Sequence, residues 1–166
     1  MTVVVRPAHT EELPLVGELT AAAYAADGFV DEHDGYADHL RDAVTRAREA
    51  EVYVAVLPEA PSTVVGTVTF CPHGSAWAEL AQLDEGELRM LAVDPGTRRR
   101  GVATALVGAC IERSRELRHR ALVLSSMPVQ QPAHRVYDRL GFRRTPDLDW
   151  SPTDAVDLLA FRLELS

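Results

Sequence analysis

Apolar and polar positions alternate first as a strand would place them and then, after one turn, at helical spacing. TVVVR (2–6) is β-branched and stops at Pro7, as a short strand does. Thr10 precedes Glu11 and Glu12, and Leu13, Val16, Leu19 and Ala23 recur along one face, predicting a helix over about 10–26. YAADGFVDEH (24–33) breaks that period. Tyr36, Leu40, Ala43, Val44 and Ala47 restore it and predict a second helix. EVYVAVL (51–57) and TVVGTVTF (63–70), joined by PEAPS, predict an antiparallel hairpin. A long connection at 71–86 is of the kind that serves as a lid. ELRMLAV (87–93) then alternates Leu88, Met90 and Ala92 against Glu87, Arg89, Leu91 and Val93, which predicts a strand buried on both sides. A helix to about 116 follows DPGTRRRG, then a strand at 121–126, a helix around 131–140 and a closing strand at 155–165. With no repeat, low-complexity tract or linker to divide it, the chain reads as one α/β domain over residues 1–166.

Composition narrows the function classes. The 166 residues are 46% hydrophobic and 25% charged, ordinary for a globular chain with one core. No run of ~18 apolar residues occurs and MTVVVRP lacks a long apolar region, so a cytoplasmic protein with no membrane partner is expected. Cys71 and Cys110 form no metal-type pair and the six histidines give no HExxH, so no metal is expected. All seventeen basic residues are arginine and there is no lysine or asparagine, the coding bias of a GC-rich, bacterial-type genome. A net charge of −8 repels a polyphosphate backbone, which argues against nucleic acid. The charge is also segregated: residues 94–144 hold eleven arginines and four acids, the rest six arginines and twenty-one acids. One segment is built to meet an anion.

That segment contains LAVDPGTRRRGVATALVGACIERSRE (91–116). A strand ends at Val93, Asp94-Pro95-Gly96 turns the chain, and Gly101 stands where a helix starts, so backbone N–H groups from Arg99 to Ala103 point out of a helix N-terminus. Gly101 lets a phosphate approach that backbone with no Cβ between them. Neither GxxxxGK[ST] nor GxGxxG is present, which removes the usual arguments for a P-loop nucleotidase or a dinucleotide dehydrogenase.

Arg98-x-x-Gly101-x-Ala103, preceded by LAVDP, resembles the [QR]-x-x-G-x-[GA] acyl-CoA pyrophosphate loop of the GNAT superfamily of acetyl-CoA-dependent N-acetyltransferases. Downstream, the run from Ala133 to Phe142, AHRVYDRLGF, resembles the A-x-x-x-Y-x-x-x-G-F segment of the same family. With the order of elements, the resemblance covers nearly the whole chain. It implies a central mixed sheet flanked by helices, in which the strands at 87–93 and 121–126 splay apart to admit acetyl-CoA. Pantetheine would run beside Leu91, Ala92 and Val93, and the pyrophosphate would sit on the helix start from Arg99 through Val102, Ala103 and Thr104, with Arg98, Arg99 and Arg100 adding charge. His134 would flank the cofactor mouth, and Gln130, standing where many relatives have Asn, would offer its longer amide to the pantetheine or the thioester carbonyl.

The reaction implied is direct attack by a primary amine, on a small molecule or peptide, upon the acetyl thioester within a ternary complex. An alkylammonium pKa near ~10.4 calls for a base, and a thiol pKa near ~8.5 rewards a proton donor to the leaving thiolate. Tyr137 matches the family's tyrosine, the general acid, although Ala133, Val136, Tyr137 and Leu140 also make an apolar face that suits a core tyrosine. Glu87 is either the base or a strand-end charge paired with Arg89, with Glu79, Asp84 and Glu85 as substitutes. Tyr24, Phe29, Asp31 and Trp77, with Asp147, Asp149 and Trp150, are the candidate acceptor contacts, and the acidic flanks favour a cationic amine. A noncatalytic acyl-CoA-binding regulator of the same fold is the alternative, needing Gly101 but neither Tyr137 nor Glu87. Acetylation of charged tRNA would require a basic acceptor face, which those flanks argue against. The apolar C-terminal strand suits a homodimer contact and an ordinary sheet strand alike.

Overall fold

The computed structural model describes residues 2–28 and 35–165. Thirteen α-helices and β-strands are described, besides three short 3-10 turns: β1 (Val4–Pro7), α1 (Leu13–Ala26), α2 (Gly35–Arg41), α3 (Ala43–Glu49), β2 (Glu51–Leu57), β3 (Ala60–Cys71), β4 (Glu85–Val93), α4 (Val102–Glu116), β5 (Ala121–Ser126), α5 (Gln131–Arg139), β6 (Arg143–Arg144), β7 (Trp150–Thr153) and β8 (Val156–Glu164). The strands form one mixed sheet in the order β1-β2-β3-β4-β5-β8-β6, with β7 also pairing β8. Every neighbouring pair is antiparallel except β4 and β5.

The helix expected through Tyr36–Ala47 is two helices that meet at Asp42. The Asp42 side chain accepts the Thr45 N–H at 3.1 Å and caps α3. Behind the corner, buried Arg46 donates from Nη1 to the carbonyls of His39 (3.3 Å) and Leu40 (3.1 Å), and from Nε to Thr69 Oγ1 on β3 (3.1 Å). One guanidinium thus supplies donors to the carbonyl end of α2, a demand that apolar spacing does not register.

Helices cover both faces of the sheet. Val102, Leu106, Val107, Cys110 and Ile111 of α4 pack on Ala55, Val65, Val68, Phe70, Leu88, Leu122 and Leu124. On the opposite side Leu13, Val16 and Ala43 pack on Val52, Val54 and Val64. α4 lies close to β3 because residue 66 is glycine: a Cβ there would stand 2.6 Å from Val102 Cγ1. That contact fixes the first turn of α4, on which the site depends.

The sheet opens at its centre. β4 and β5 pair only through Glu85–Glu87 and Ala121–Val123, and beyond Glu87 β4 stays with β3 while β5 stays with β8. The expected splay between these two strands is therefore present. β8 is paired along both edges, by β5 on one side and by β6 and β7 on the other.

Candidate active site

The closed end of the β4/β5 wedge is held by charge. Glu85, 1% exposed, receives Arg162 Nη1 and Arg120 Nη2, while Arg120 Nε also reaches Asp84 Oδ1 at 2.7 Å and the Gln82 N–H donates to Glu85 Oε1 at 2.9 Å. A buried carboxylate with two arginines and a backbone donor is satisfied.

At the open end β4 carries a bulge. Thr69 lies opposite Arg89 and Thr67 opposite Ala92, so Met90 and Leu91 face the single residue Val68, and Met90 has φ 55. The bulge corrects the alternation expected from the sequence. Leu88, Leu91 and Val93 belong to the α4 side of the core, whereas Met90 packs with Ala21 and Leu40 on the other face. Glu87 therefore does not share a face with Leu91 and Val93.

α4 begins at Gly101, whose φ of 80 lies in the left-handed region that favours glycine. The first intrahelical bond runs from Ala105 N–H to the Gly101 carbonyl at 3.0 Å, so the amides of Val102, Ala103 and Thr104 have no helical acceptor. They form an anion cradle. A Cβ on Gly101 would meet no protein atom within 4 Å, and the residue lines a cavity of about 870 Å³. Tyr24 of α1, Asp27 at its C-terminal cap, Leu91–Val93, Arg98, Arg99 and Gly101–Thr104 line that cavity. Gln130, Pro132, Arg135, Val136 and Arg139, from α5 and the turn before it, line it as well.

The charge around the cradle differs from the expected cluster of three arginines. Arg98 is tied to Asp27 by two bonds, Nη1–Oδ1 at 2.7 Å and Nη2–Oδ2 at 2.8 Å, and Arg100 Nη2 reaches Glu59 Oε1 at 2.6 Å. Of these three, only Arg99, with φ 67, meets no carboxylate among the described residues. Arg135 and Arg139 also line the cavity, though neither was singled out from the sequence. The available signal was their i, i+4 spacing on α5, in one stripe with Pro132 and Val136.

The two candidate catalytic groups lie deeper. Tyr137 is 4% exposed, packed between Phe142 and Phe161 with ring centroids at 5.8 and 5.6 Å, and does not line the cavity. Burial holds its phenol above the ordinary value, so it is protonated at neutral pH. Glu87 is 1% exposed, and its Oε1 accepts the N–H groups of Glu79 (2.9 Å), Leu80 (2.7 Å) and Ala81 (3.0 Å). Burial raises its pKa, and the three amides pull the other way without cancelling the effect. Instead of pairing with Arg89, Glu87 anchors the long loop before β4. Arg89 reinforces the anchor by donating to the Trp77 carbonyl at 2.9 Å.

Other expected contacts are redistributed. Gln130 lines the cavity, but its Oε1 accepts Ser126 Oγ (2.9 Å) and the Met127 N–H (2.7 Å), which leaves the NH₂ end for a ligand. His134 lies outside the cavity lining, bonds Ser126 Oγ through Nε2 at 3.0 Å, and is held neutral by burial. Trp77 is likewise absent from the lining and stacks on His39 at 4.9 Å. Asp149 is held by Arg144, and Trp150 Nε1 bonds Ser125 Oγ at 3.2 Å. Phe29 and Asp31 lie outside the described residues. No described helix is long and apolar enough to cross a membrane, and no described group of His, Cys, Asp or Glu is placed to hold a metal.

Comparison with known proteins agrees with this geometry. The model of the acetyltransferase (GNAT) family matches residues 18–142. The yncA protein of Salmonella typhimurium, solved with its cofactor acetyl-CoA, is 18% identical with a TM-score of 0.72, covering 100% of this chain and 95% of that one. A GNAT-family acetyltransferase from Staphylococcus aureus is 15% identical with a TM-score of 0.76, covering 99% of this chain and 100% of that one. N-acetylaspartate synthetase of Danio rerio is 38% identical over 63 residues, which are 38% of this chain and 22% of that protein. The chain belongs to the GNAT acetyltransferase family.

Proposed function

We propose that this chain is an acetyl-CoA-dependent N-acetyltransferase, one domain over residues 1–166, that acylates a primary amine on a small molecule or peptide. The observation that carries the reading is the juxtaposition of the splayed β4/β5 wedge with the unpaired amides of Val102–Thr104 along one cavity. Acetyl-CoA would supply the activated acetyl group as a thioester. Val102, Ala103 and Thr104 hold its pyrophosphate, and the open edge of Leu91–Val93 offers backbone groups to the pantetheine as an added strand would.

Tyr137, protonated and dry, is the group assigned to protonate the leaving thiolate. Glu87 is assigned to the amine's proton, through water because its carboxyl is sealed beneath residues 79–81, and burial makes its carboxylate a stronger proton acceptor than an exposed one. The acceptor lies on the Tyr24 side, where the acidic flanks of the sequence favour a cation. The name of the zebrafish relative adds aspartate to the acceptors to be tried. A cytoplasmic location, and a homodimer through apolar side chains of β8, belong to the same proposal.

Thiol release from acetyl-CoA, scored with polyamines, aminoglycosides, amino acids and peptides, tests the reading. Saturable release with one amine, reduced about a hundredfold or more in Tyr137→Phe while cofactor affinity holds, is the expected result. The noncatalytic regulator stays as the second reading because Tyr137 and Glu87 both lie outside the cavity lining. It predicts tight acetyl-CoA binding with no release from any amine.

A further inference from the structure

The cavity walls carry more positive charge than a pyrophosphate on the amide cradle needs. Four arginines line the cavity, Arg98, Arg99, Arg135 and Arg139, against one acid, Asp27. Asp27 is engaged at both oxygens by Arg98, so these two residues close on each other. Arg135 and Arg139 are exposed, stand one turn apart on α5, and meet no carboxylate among the described residues; the adjacent acid, Asp138, is also exposed and makes no ion pair with either. Four residues of helix separate their attachment points by about 6 Å along the axis, so both guanidiniums can converge on one phosphate. They line the same cavity as the cradle but come from a different helix, and the cradle's own anion is already met by three N–H groups and a helix N-terminus.

Resting on the acetyl-CoA reading above, we propose that Arg135 and Arg139 bind the 3′-phosphate of the cofactor's nucleotide and make the site selective for a free coenzyme A thioester. A phosphomonoester is close to dianionic at neutral pH, and paired guanidiniums bind such a group through charge-assisted, bidentate hydrogen bonds. An acyl-phosphopantetheine arm on a carrier protein lacks the nucleotide and forfeits this contact. The inference also accounts for basic residues at the far end of the 94–144 segment, where the phosphate loop does not reach.

Calorimetric titration of coenzyme A and of 3′-dephospho-coenzyme A separates this role from general attraction. The parent should bind coenzyme A at least about tenfold more tightly than the dephospho form, the worth of one strong charge-assisted contact. In the Arg135→Gln/Arg139→Gln double variant that ratio should collapse to within about twofold, with dephospho-coenzyme A affinity unchanged; this ligand also reports that the variant is folded. Equal affinity of the parent for both ligands overturns the proposal. So does equal weakening of both in the double variant, which would place the arginines on the pyrophosphate. If the parent binds neither ligand, the acetyl-CoA reading itself has failed, and the first titration shows it.

Discussion

The two ends of the β4/β5 wedge are a few residues apart and treat polar groups in opposite ways. At the closed end Glu85 is as buried as any core leucine, yet Arg162, Arg120 and an amide satisfy it. At the open end β4 bulges at Met90, Gly101 and Arg99 take left-handed backbone, and three amides and three carboxylate-free guanidiniums face a cavity. Paired charge locks the sheet, whereas unpaired donors and locally strained backbone mark where a ligand must complete the structure.

Breaking the closed end should cost stability and spare binding. Glu85→Leu leaves Arg162 with Glu164 and Arg120 with Asp84, so the loss should sit near the low end for a broken buried pair, about 3 kcal/mol or about 150-fold in the folding equilibrium. Urea denaturation measures it. Coenzyme A affinity of the folded fraction should be unchanged; a parallel loss of affinity would show that the two ends are not separable.

The converse substitution is Gly101→Val. It forces a β-branched residue to φ 80 and sets its side chain in the cradle, so coenzyme A affinity should fall about a hundredfold with the melting temperature down by only a few degrees. Titration calorimetry and a thermal melt give both numbers. Affinity within threefold of the parent would move the anion away from the helix start.

These contrasts show which parts of the molecule the sequence made legible. Gly101 was readable because a local backbone demand is written in one residue and the helix that follows it. The bulge was not, since ELRMLAV is apolar on both faces and a one-residue slip costs no visible hydrophobic match. Charge in RRR was legible as charge, but its partners are Asp27, 71 positions from Arg98, and Glu59, 41 positions from Arg100. Glu87 was found as a candidate residue, while its three bonds to the preceding loop depend on a turn geometry that spacing does not encode.

Glu87 belongs to neither end and carries a pH signature that sharpens the comparison. Its raised pKa means the folded chain holds the proton more tightly than the unfolded chain. The stability it adds is full below the ordinary carboxylate value of ~4.3 and is lost as pH rises through the raised one. Glu87→Gln keeps an acceptor for the three amides, so denaturant stability followed against pH should be flatter across that window. The parent's excess slope is at most ~1.4 kcal/mol per pH unit, a tenfold change in the folding equilibrium. Identical slopes in parent and variant would mean that the carboxyl titrates normally.

The smallest effect expected is a gain. Asp27 caps the C-terminal end of α1, where a negative charge opposes the helix dipole, and it occupies a guanidinium that faces the cavity. Asp27→Asn removes the one acid in the lining and releases Arg98 toward the anion. A half-exposed ion pair of this kind contributes about 0.2–1 kcal/mol, and relief at the helix end offsets part of that, so stability should hardly change. Coenzyme A affinity should rise about threefold, with a steeper dependence on salt because one more free cation meets the phosphates. A fall in affinity would instead make the Asp27–Arg98 pair part of the cradle, with its strap from α1 holding the phosphate loop in its binding shape.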